Sequence, residues 1–290
     1  MKMKSLLPTV VVAALTLPIL ILAAPHPAFY FNGFENAADA QVDPLFISND
    51  AVFDVTRVVS GTSGIPSATG SWHAEAGLTS FGTPFLPFTR YGGYNSVFPA
   101  GGYTTSIDIY LDMAEATGSN DIRFDWSSAI NRPDGFHRRD FIFSGGTDPF
   151  NAGQFLVSAS NNAPGWPGNP GRSPLTIGSS GWYTFQHRFY DAGAGVLAVD
   201  MSVLNDVGTL VTFWTLSDPS DIIGSTVGGN RYGWLVTNGF SVLALDNVKR
   251  SGLTPTQDGC KQGGWQSLTR TDGSTFKNQG DCIQYVNTGK

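Results

Sequence analysis

The sequence has few charged residues and no extended helical pattern. Only 14% of its 290 residues are charged, against the roughly one quarter that is usual, and no helical period longer than a turn or two persists anywhere. Glycine (35) and proline (17) are plentiful, without the Gly-X-Y period of collagen. Aromatic residues make up 12%, enough for a substantial core. These features predict a globular β-rich chain.

Basic residues are scarce as well. The formal net charge is −6, and loss of Lys2 and Lys4 with a signal segment leaves 15 basic against 23 acidic side chains, or −8. A phosphate backbone requires a basic stripe, and the few Arg and Lys are scattered. Nucleic acid is therefore excluded as the expected partner.

The N-terminal residues 1–24 predict a signal peptide. Lys2 and Lys4 precede the uncharged apolar run Leu6–Leu22 and the small pair Ala23-Ala24. The run is long, so an uncleaved anchor is the alternative. The cleavage position falls within residues 24–28, and no cysteine nearby supports a lipoprotein anchor. We expect a secreted or cell-envelope protein that has no membrane span after signal removal.

There are only two cysteines, Cys260 and Cys282. In an exported chain, such a pair most economically forms a disulfide, with two buried free thiols as the alternative. A zinc site is disfavoured because no histidine follows His187 and two thiolates do not complete a tetrahedron.

The body of the chain, residues 28–250, alternates apolar and polar residues at period two. In 103–112 the pattern separates Ile107, Ile109 and Leu111 from Asp108, Tyr110 and Asp112. Similar strands are predicted over 122–126 and 182–190, and a hairpin over 195–215 with its turn at Asn205-Asp206. Long turn-rich loops are predicted at 161–180, and a short polar turn at 217–221. The pattern predicts one two-sheet antiparallel domain.

Three segments of the body resemble secreted β-sandwich families. The unit Gly181–Phe189 looks like the G-W-Y pattern that precedes the central hairpin of laminin-G and concanavalin-A-like jelly rolls. Phe31–Glu35 and Leu243–Val248 are similar to the first and last strands of carbohydrate-binding jelly rolls. The resemblance implies a concanavalin-A-like jelly-roll sandwich.

The C-terminal residues 260–290 form a second unit, after a linker at 251–259. Cys260-Lys261-x-Gly-Gly-Trp265 and Phe276-Lys-Asn-Gln-Gly-Asp-Cys282 resemble a C-terminal module of exported bacterial proteins of unassigned function. That resemblance implies export more than activity.

Glutamate is too rare for the usual glucanase motif of this fold, E-x-D-x-x-E. The three glutamates, Glu35, Glu75 and Glu115, are far apart in sequence. Asp108 and Asp112 share a strand face but lie roughly 13 Å apart, too far for a retaining pair. A carboxylate from a neighbouring strand would be needed, and the sequence leaves that alternative open.

A polysaccharide lyase requires a charge sink and a Tyr or His base. The cluster His137-Arg138-Arg139-Asp140 is the only basic one with a histidine, and Tyr91, Tyr94 and Tyr110 are candidate bases. The lyase motifs R-[ST]-E-L-R and Q-I-H are absent, and surface ion pairs explain the cluster better. His187 alternates with Phe185 and Phe189, which predicts a core histidine. No esterase, phosphate-loop or metal-spaced histidine motif occurs.

The motif evidence favours a noncatalytic jelly roll that binds a polysaccharide or glycoconjugate, or acts in adhesion. Aromatic rings suit sugar faces and planar polar groups suit hydroxyls. A polysaccharide-cleaving enzyme and a structural envelope protein without a small ligand remain alternatives. The candidate sugar-binding residues are Tyr110, Arg123, Asp125, Arg139 and Asp140.

The jelly-roll resemblance also implies a structural calcium. In such folds a Glu on the first strand and an Asp near the last often bind one Ca²⁺, and the matching positions here are Glu35 and Asp246. Calcium requires about six to eight oxygens, so loop carbonyls would have to complete the shell. The alternative is a solvated Glu35 and a plain turn at Asp246-Asn247.

Overall fold

The structure is a computed structural model. It describes residues 30–36, 53–78, 88–89, 91, 98, 101–116, 122–131, 137–161, 173–224, 230–252, 255, 257, 260–261, 265, 268, 270 and 274–290. The predicted signal peptide lies outside these residues. None of the helices described is long and apolar enough to cross a bilayer.

The described residues form two antiparallel sheets. One has eight strands in the order β12-β11-β10-β5-β14-β3-β2, with β1 also paired to β14; the other has six in the order β4-β13-β6-β7-β8-β9. The strands are β1 (Tyr30–Asn32), β2 (Phe53–Val59), β3 (Trp72–Leu78), β4 (Phe88–Thr89), β5 (Tyr103–Leu111), β6 (Arg123–Asn131), β7 (His137–Thr147), β8 (Phe155–Asn161), β9 (Leu175–Ile177), β10 (Gly181–Asp191), β11 (Val196–Leu204), β12 (Leu210–Ile222), β13 (Asn230–Asn238) and β14 (Val242–Gly252).

This arrangement confirms the predicted fold class, an all-β two-sheet sandwich of the jelly-roll type. Strands distant in sequence lie side by side, since β5 pairs with both β10 and β14. The first and last body strands, β1 and β14, are also neighbours, with Phe31 opposite Lys249. Residues from opposite ends of the body therefore meet on one sheet face.

Period-two alternation located several strands correctly. The predicted segments at 103–112 and 182–190 are β5 and β10, and the predicted hairpin is β11–β12. Along β5, Ile107, Ile109 and Leu111 are wholly buried, while Asp108 and Tyr110 are only partly buried. The apolar face packs between the sheets because burying it removes the most apolar area from water.

Two loop predictions were incomplete. The segment Leu175–Ile177, within the predicted loop 161–180, adds strand β9 to β8. The predicted turn at 217–221 is an irregularity inside β12, where the pairing passes from Ser217 to Ile222. Pro219 is tolerated there because β12 lies at a sheet edge, where a missing N–H breaks no ladder hydrogen bond.

Aromatic side chains from both sheets fill the core. The ring of Phe143 lies 5.9 Å from that of Trp126 and 5.3 Å, edge-on, from that of Phe185. His187 lies among them, 4.6 Å from the Trp126 ring and wholly buried, which confirms the predicted core histidine. Offset and edge-to-face contacts of this kind add to the apolar burial.

The C-terminal residues have a small core of their own. Cys260 and Cys282 form the predicted disulfide and are buried with Leu268 and Phe276. A helix, α1 (Gln279–Thr288), corrects the expectation that no helical pattern longer than a turn or two occurs. Its start has a sequence signal, because the Asn278 side chain accepts a hydrogen bond from the N–H of Asp281 at 2.9 Å. β14 also extends two residues into the predicted linker.

Candidate functional site

The structure divides the predicted sugar-binding residues between the two sheets. Tyr110 lies on β5 of the eight-stranded sheet, whereas Arg123 and Asp125 lie on β6 of the other sheet. Arg139 and Asp140 lie on β7 and pair with Ile130 and Ala129, at the far end of β6 from Arg123. The five residues therefore do not form one surface.

Asp125 and Arg123 lie together near the start of β6. Asp125 is opposite Ser144 of β7, and Arg123 is exposed. Burial raises the pKa of Asp125, although a hydrogen bond from Ser144 and the charge of Arg123 oppose the rise. This pair can take part in polar recognition.

Tyr110 is part of a covered aromatic group. Its ring contacts that of Trp182 edge-on at 5.4 Å, and the Trp182 indole N–H donates to the Pro66 carbonyl at 2.8 Å. Ile65 and Ala68 pack on the same group. Residues 60–71, which we call the covering loop, therefore lie over this part of the outer face and leave Tyr110 half-buried.

Beneath the covering loop, two carboxylates face each other across β5 and β14. Asp246 is the cross-strand partner of Asp108, a relation that places their Cβ atoms about 5 Å apart. Asp108 accepts hydrogen bonds from Thr184 at 2.5 Å and from the Asn247 amide at 2.8 Å. Burial, aided by the charge of Asp108, raises the pKa of Asp246 to about 7, although backbone N–H groups oppose the rise. The neighbouring-strand carboxylate that the sequence left open is thus Asp246.

The two predicted calcium ligands hold the covering loop. Asp246 Oδ2 accepts from the N–H groups of Ala68 and Thr69 at 3.0 and 3.2 Å, and its Oδ1 accepts from Asn247. Glu35 Oε1 accepts from the N–H groups of Ser71 and Trp72 at 2.9 and 3.0 Å. The intervening Gly70 has a left-handed φ of 64°, and a Cβ there would collide with the Glu35 carboxylate.

Three of the four carboxylate oxygens of Glu35 and Asp246 therefore accept hydrogen bonds from N–H groups. The backbone N–H groups approach these oxygens from the directions that a calcium ion would use. The arrangement therefore suits carboxylates that accept hydrogen bonds. The described residues also contain no group of three or more His, Cys, Asp or Glu arranged to hold a metal ion.

A calcium shared by Glu35 and Asp246 stays a prediction, and thermal unfolding checks it. If the ion is present, a chelator lowers the melting temperature, added Ca²⁺ restores it, and Glu35→Gln abolishes both effects because one ligand is lost. If the chelator does not change the melting temperature of the parent chain, the calcium prediction is wrong, and the two carboxylates bind only the covering loop.

A histidine that no sequence motif marks lies beside the covering loop. His73 Nδ1 is 3.1 Å from Ser67 Oγ, and its Nε2 is 3.4 Å from Glu75 Oε1. The imidazole is wholly buried, and burial lowers its pKa while Glu75 opposes the change. The imidazole is buried, and the N–H of Ala68, next to Ser67, is bonded to Asp246. Ser67 and His73 therefore anchor the covering loop and do not form an exposed nucleophile and base.

Of the candidate lyase bases, the structure describes the side chains of Tyr91 and Tyr110. Tyr91 is wholly buried, donates to or accepts from Ser128 at 2.6 Å, and burial raises its pKa to about 12. Tyr94 and the side chain of His137 lie outside the described residues. Tyr91 is thus closed to a polymer.

The exposed part of the eight-stranded sheet carries a polar group on β10, β11 and β12. Asp200 accepts hydrogen bonds from Thr215 at 2.7 Å, from the Tyr190 hydroxyl at 3.2 Å and from Arg188 at 3.2 Å. The Arg188 guanidinium lies over the Tyr190 ring, 4.6 Å from its centre. Burial, with the charge of Asp200, raises the pKa of Tyr190, which keeps its hydroxyl protonated as a donor.

An exposed aromatic ring completes this surface. Phe213 is 59% exposed and precedes Thr215 by two residues, so both side chains lie on the same face of β12. Cross-strand pairing places Ser202 and then Gln186 beside Phe213. We call this surface, formed by Gln186, Arg188, Tyr190, Asp200, Ser202, Phe213 and Thr215, the polar platform.

The sequence contained a partial signal for the polar platform. Arg188 and Tyr190 alternate with core residues along β10, and a polar alternation of this kind marks an outer face. Nothing local to Asp200 or Phe213 indicates that they join it, since their positions depend on strand pairing.

No family model and no curated protein matches this sequence. Among solved structures it is similar to a Shewanella oneidensis protein of unknown function, at 11% identity and a TM-score of 0.40 over 85% of this chain and 100% of that one. Lectin II from Ulex europaeus matches at 11% and 0.38 (77% and 97% covered), and an Aplysia kurodai alginate lyase at 11% and 0.39 (69% and 87%). At such values these likenesses carry no argument about function.

Proposed function

We propose that this chain is an exported, noncatalytic carbohydrate-binding protein that uses the polar platform. The observation that carries the proposal is the exposed Phe213 beside the hydrogen-bonded group of Asp200. A ring face stacks on the C–H face of a sugar, while carboxylate and guanidinium groups bond its hydroxyls. The rigid strands below hold these groups in place without a ligand.

The polar groups beside Phe213 suit a glycan that carries little net charge. Arg188 is 49% exposed and Asp200 is 20% exposed, and they neutralise each other at 3.2 Å. One of the five guanidinium N–H donors faces Asp200, so others can reach a ligand. Because the charges cancel locally, recognition would rest on hydrogen bonds and stacking rather than on net charge.

We expect Phe213→Ala and Asp200→Asn each to weaken glycan binding by about 10-fold, the effect of roughly 1.4 kcal/mol of lost interaction. A glycan array and pull-down on insoluble polysaccharides would first identify the ligand, and titration would then measure the variants. Val207→Ala is the matched control, since Val207 is an exposed apolar residue in the β11–β12 turn. A parent chain that binds no glycan would instead favour the structural envelope role.

A polysaccharide-cleaving enzyme is the second candidate, because Asp108 and Asp246 are cross-strand partners. Retaining glycosidases use two carboxyl groups about 5 Å apart, one with a raised pKa. The obstacle is access: Asp246 is wholly buried, and its oxygens accept hydrogen bonds from the covering loop.

We therefore expect neither reducing-end release from β-glucans nor unsaturated-uronate absorbance from alginate. The reason is that no sugar can reach the Asp246 carboxyl while the covering loop is bonded to it. Activity that disappears in Asp108→Asn or in His137→Ala would contradict this and favour the enzyme.

A further inference from the structure

The first half of the outer edge of β12 lacks the charges and prolines that normally protect a sheet edge. Among the described residues, no strand pairs with the side of β12 that faces away from β11. Its first half, 210–216, has no charged residue and no proline, whereas Asp218, Pro219 and Asp221 interrupt the second half. Charges, prolines and bulges are the usual defences against edge pairing. The second half has charges and a proline, whereas the first half has only a register shift at Val211, between the Val203–Thr212 and Leu204–Leu210 pairs.

Apolar side chains are exposed along the first half of β12. Leu210 is 52% exposed, Val211 41% and Phe213 59%. The other described sheet ends differ: β2 carries Asp54 and Arg57, and β4 and β9 have two and three residues. The first half of β12 is thus the long uncharged edge of the described sheets.

We propose that residues 210–216 of β12 pair antiparallel with the same residues of a second copy of this chain. An antiparallel edge is self-complementary, because a two-fold axis brings each N–H opposite a C=O of the identical strand. The charge distribution favours this edge for self-association. The chain carries a net charge of −6, so two copies repel each other overall, but residues 210–216 are uncharged and add no direct repulsion when they pair.

The size of the contact makes the dimer weak. Seven residues at about 3.4 Å each give a contact about 24 Å long and one strand wide, on the order of 300 Å² per copy. Stable interfaces bury about 800 Å² per partner. The pairing is therefore concentration-dependent and is strengthened when one ligand binds both copies.

The pairing has a consequence that rests on the proposed function. A two-fold axis at Phe213, the middle of 210–216, sets the two Phe213 side chains about 5 Å apart at Cβ. The two Asp200 residues lie three strand spacings apart, about 14 Å. The two polar platforms then form one continuous surface, to which each copy contributes. Such a surface fits an extended polysaccharide chain rather than a single sugar.

Sedimentation velocity of the full exported chain, from about 1 μM to about 1 mM, tests the pairing. We expect the parent to shift from monomer to dimer and Val211→Lys to remain monomeric, because paired copies would place two lysines at the joined edge. Leu210→Lys is a second variant at the same edge. Val207→Lys is the matched control: it adds the same charge at an exposed apolar residue in the turn, outside 210–216, and should dimerise like the parent.

Binding assays separate this inference from the proposed function. Val211→Lys should bind a short oligosaccharide of the identified glycan as the parent does, but bind the polymer at least about 10-fold more weakly. A parent that stays monomeric throughout, with or without polymer, or edge variants that dimerise like the parent, would overturn the pairing even if sugar binding persists. Dimerisation without any glycan binding would support the pairing of β12 and contradict the proposed function.

Discussion

Acidification from pH 6.5 to about pH 4 should lower the free energy of unfolding by about 3 kcal/mol through His187 alone. Burial lowers the pKa of His187 to about 3, while the unfolded chain titrates near its ordinary value of 6.5. Between these values the unfolded state binds one more proton than the folded state. The stability contributed by the neutral imidazole is thus complete above pH 6.5 and is lost as the pH falls toward 3.

Denaturant titrations of the parent and of His187→Phe at several pH values would measure this. Other groups also titrate: His73 has a lowered pKa, whereas Asp108, Asp125 and Asp246 have raised ones and act in the opposite direction. The readout is therefore the difference in pH slope between parent and variant, about 1.4 kcal/mol per pH unit.

A matched control is Phe185→Leu, two residues away on the same buried face of β10. It should lower stability equally at all pH values, because it removes apolar volume and no titrating group. His187→Phe also removes the hydrogen bond from Nε2 to the Phe141 carbonyl, 2.8 Å long, which adds a pH-independent loss. Equal pH slopes in the parent and His187→Phe would contradict the prediction.

Reduction of the Cys260–Cys282 disulfide should destabilise the C-terminal unit by about 3 kcal/mol. The bridge closes a span of 22 residues, and the chain-entropy model gives this magnitude for a loop of that size. The small core around Leu268 and Phe276 has little apolar area to compensate. Amide exchange in α1 should therefore become about 100-fold faster after reduction, measured by hydrogen–deuterium exchange.

The double variant Cys260→Ser with Cys282→Ser provides the control, because reductant should not change its exchange. Exchange in β5 should be the same in all samples, since that strand lies in the body of the sandwich. The ion pair of Arg270 with Asp281, in which Nη2 donates to both carboxylate oxygens at 2.7 Å, also holds α1. If this pair and the core alone hold α1, reduction will leave its exchange unchanged, and the predicted role of the bridge is wrong.

Local patterns were sufficient for several strands and for the disulfide. Alternation along 103–111 predicted β5 and its buried isoleucines because a pleated strand directs successive side chains to opposite faces. The predicted export and the presence of only two cysteines predicted the bridge, because no other cysteine partner was available. The local signal missed α1, where Asn278 caps a helix too short to show a long apolar period.

The candidate site was less accessible to sequence reasoning. Tyr110 and Arg123 both lie on predicted polar faces, and the sequence gives no means of telling that these faces belong to different sheets. The Asp108–Asp246 pair joins residues 138 positions apart, and Asp200 meets Thr215 only through the β11–β12 register. A one-residue slip in that register would move Phe213 to the other face.

By itself, then, the sequence determined that the body is an all-β sandwich, where several of its strands lie, and that Cys260 pairs with Cys282. These follow from interactions within a strand or from a choice among very few partners. Only the tertiary structure decided which residues share a surface: that Asp246 and Glu35 hold the covering loop, and that Phe213 lies exposed beside Asp200. The reason is that strand order and register depend on the packing of the whole core, to which every strand contributes and which no single segment encodes.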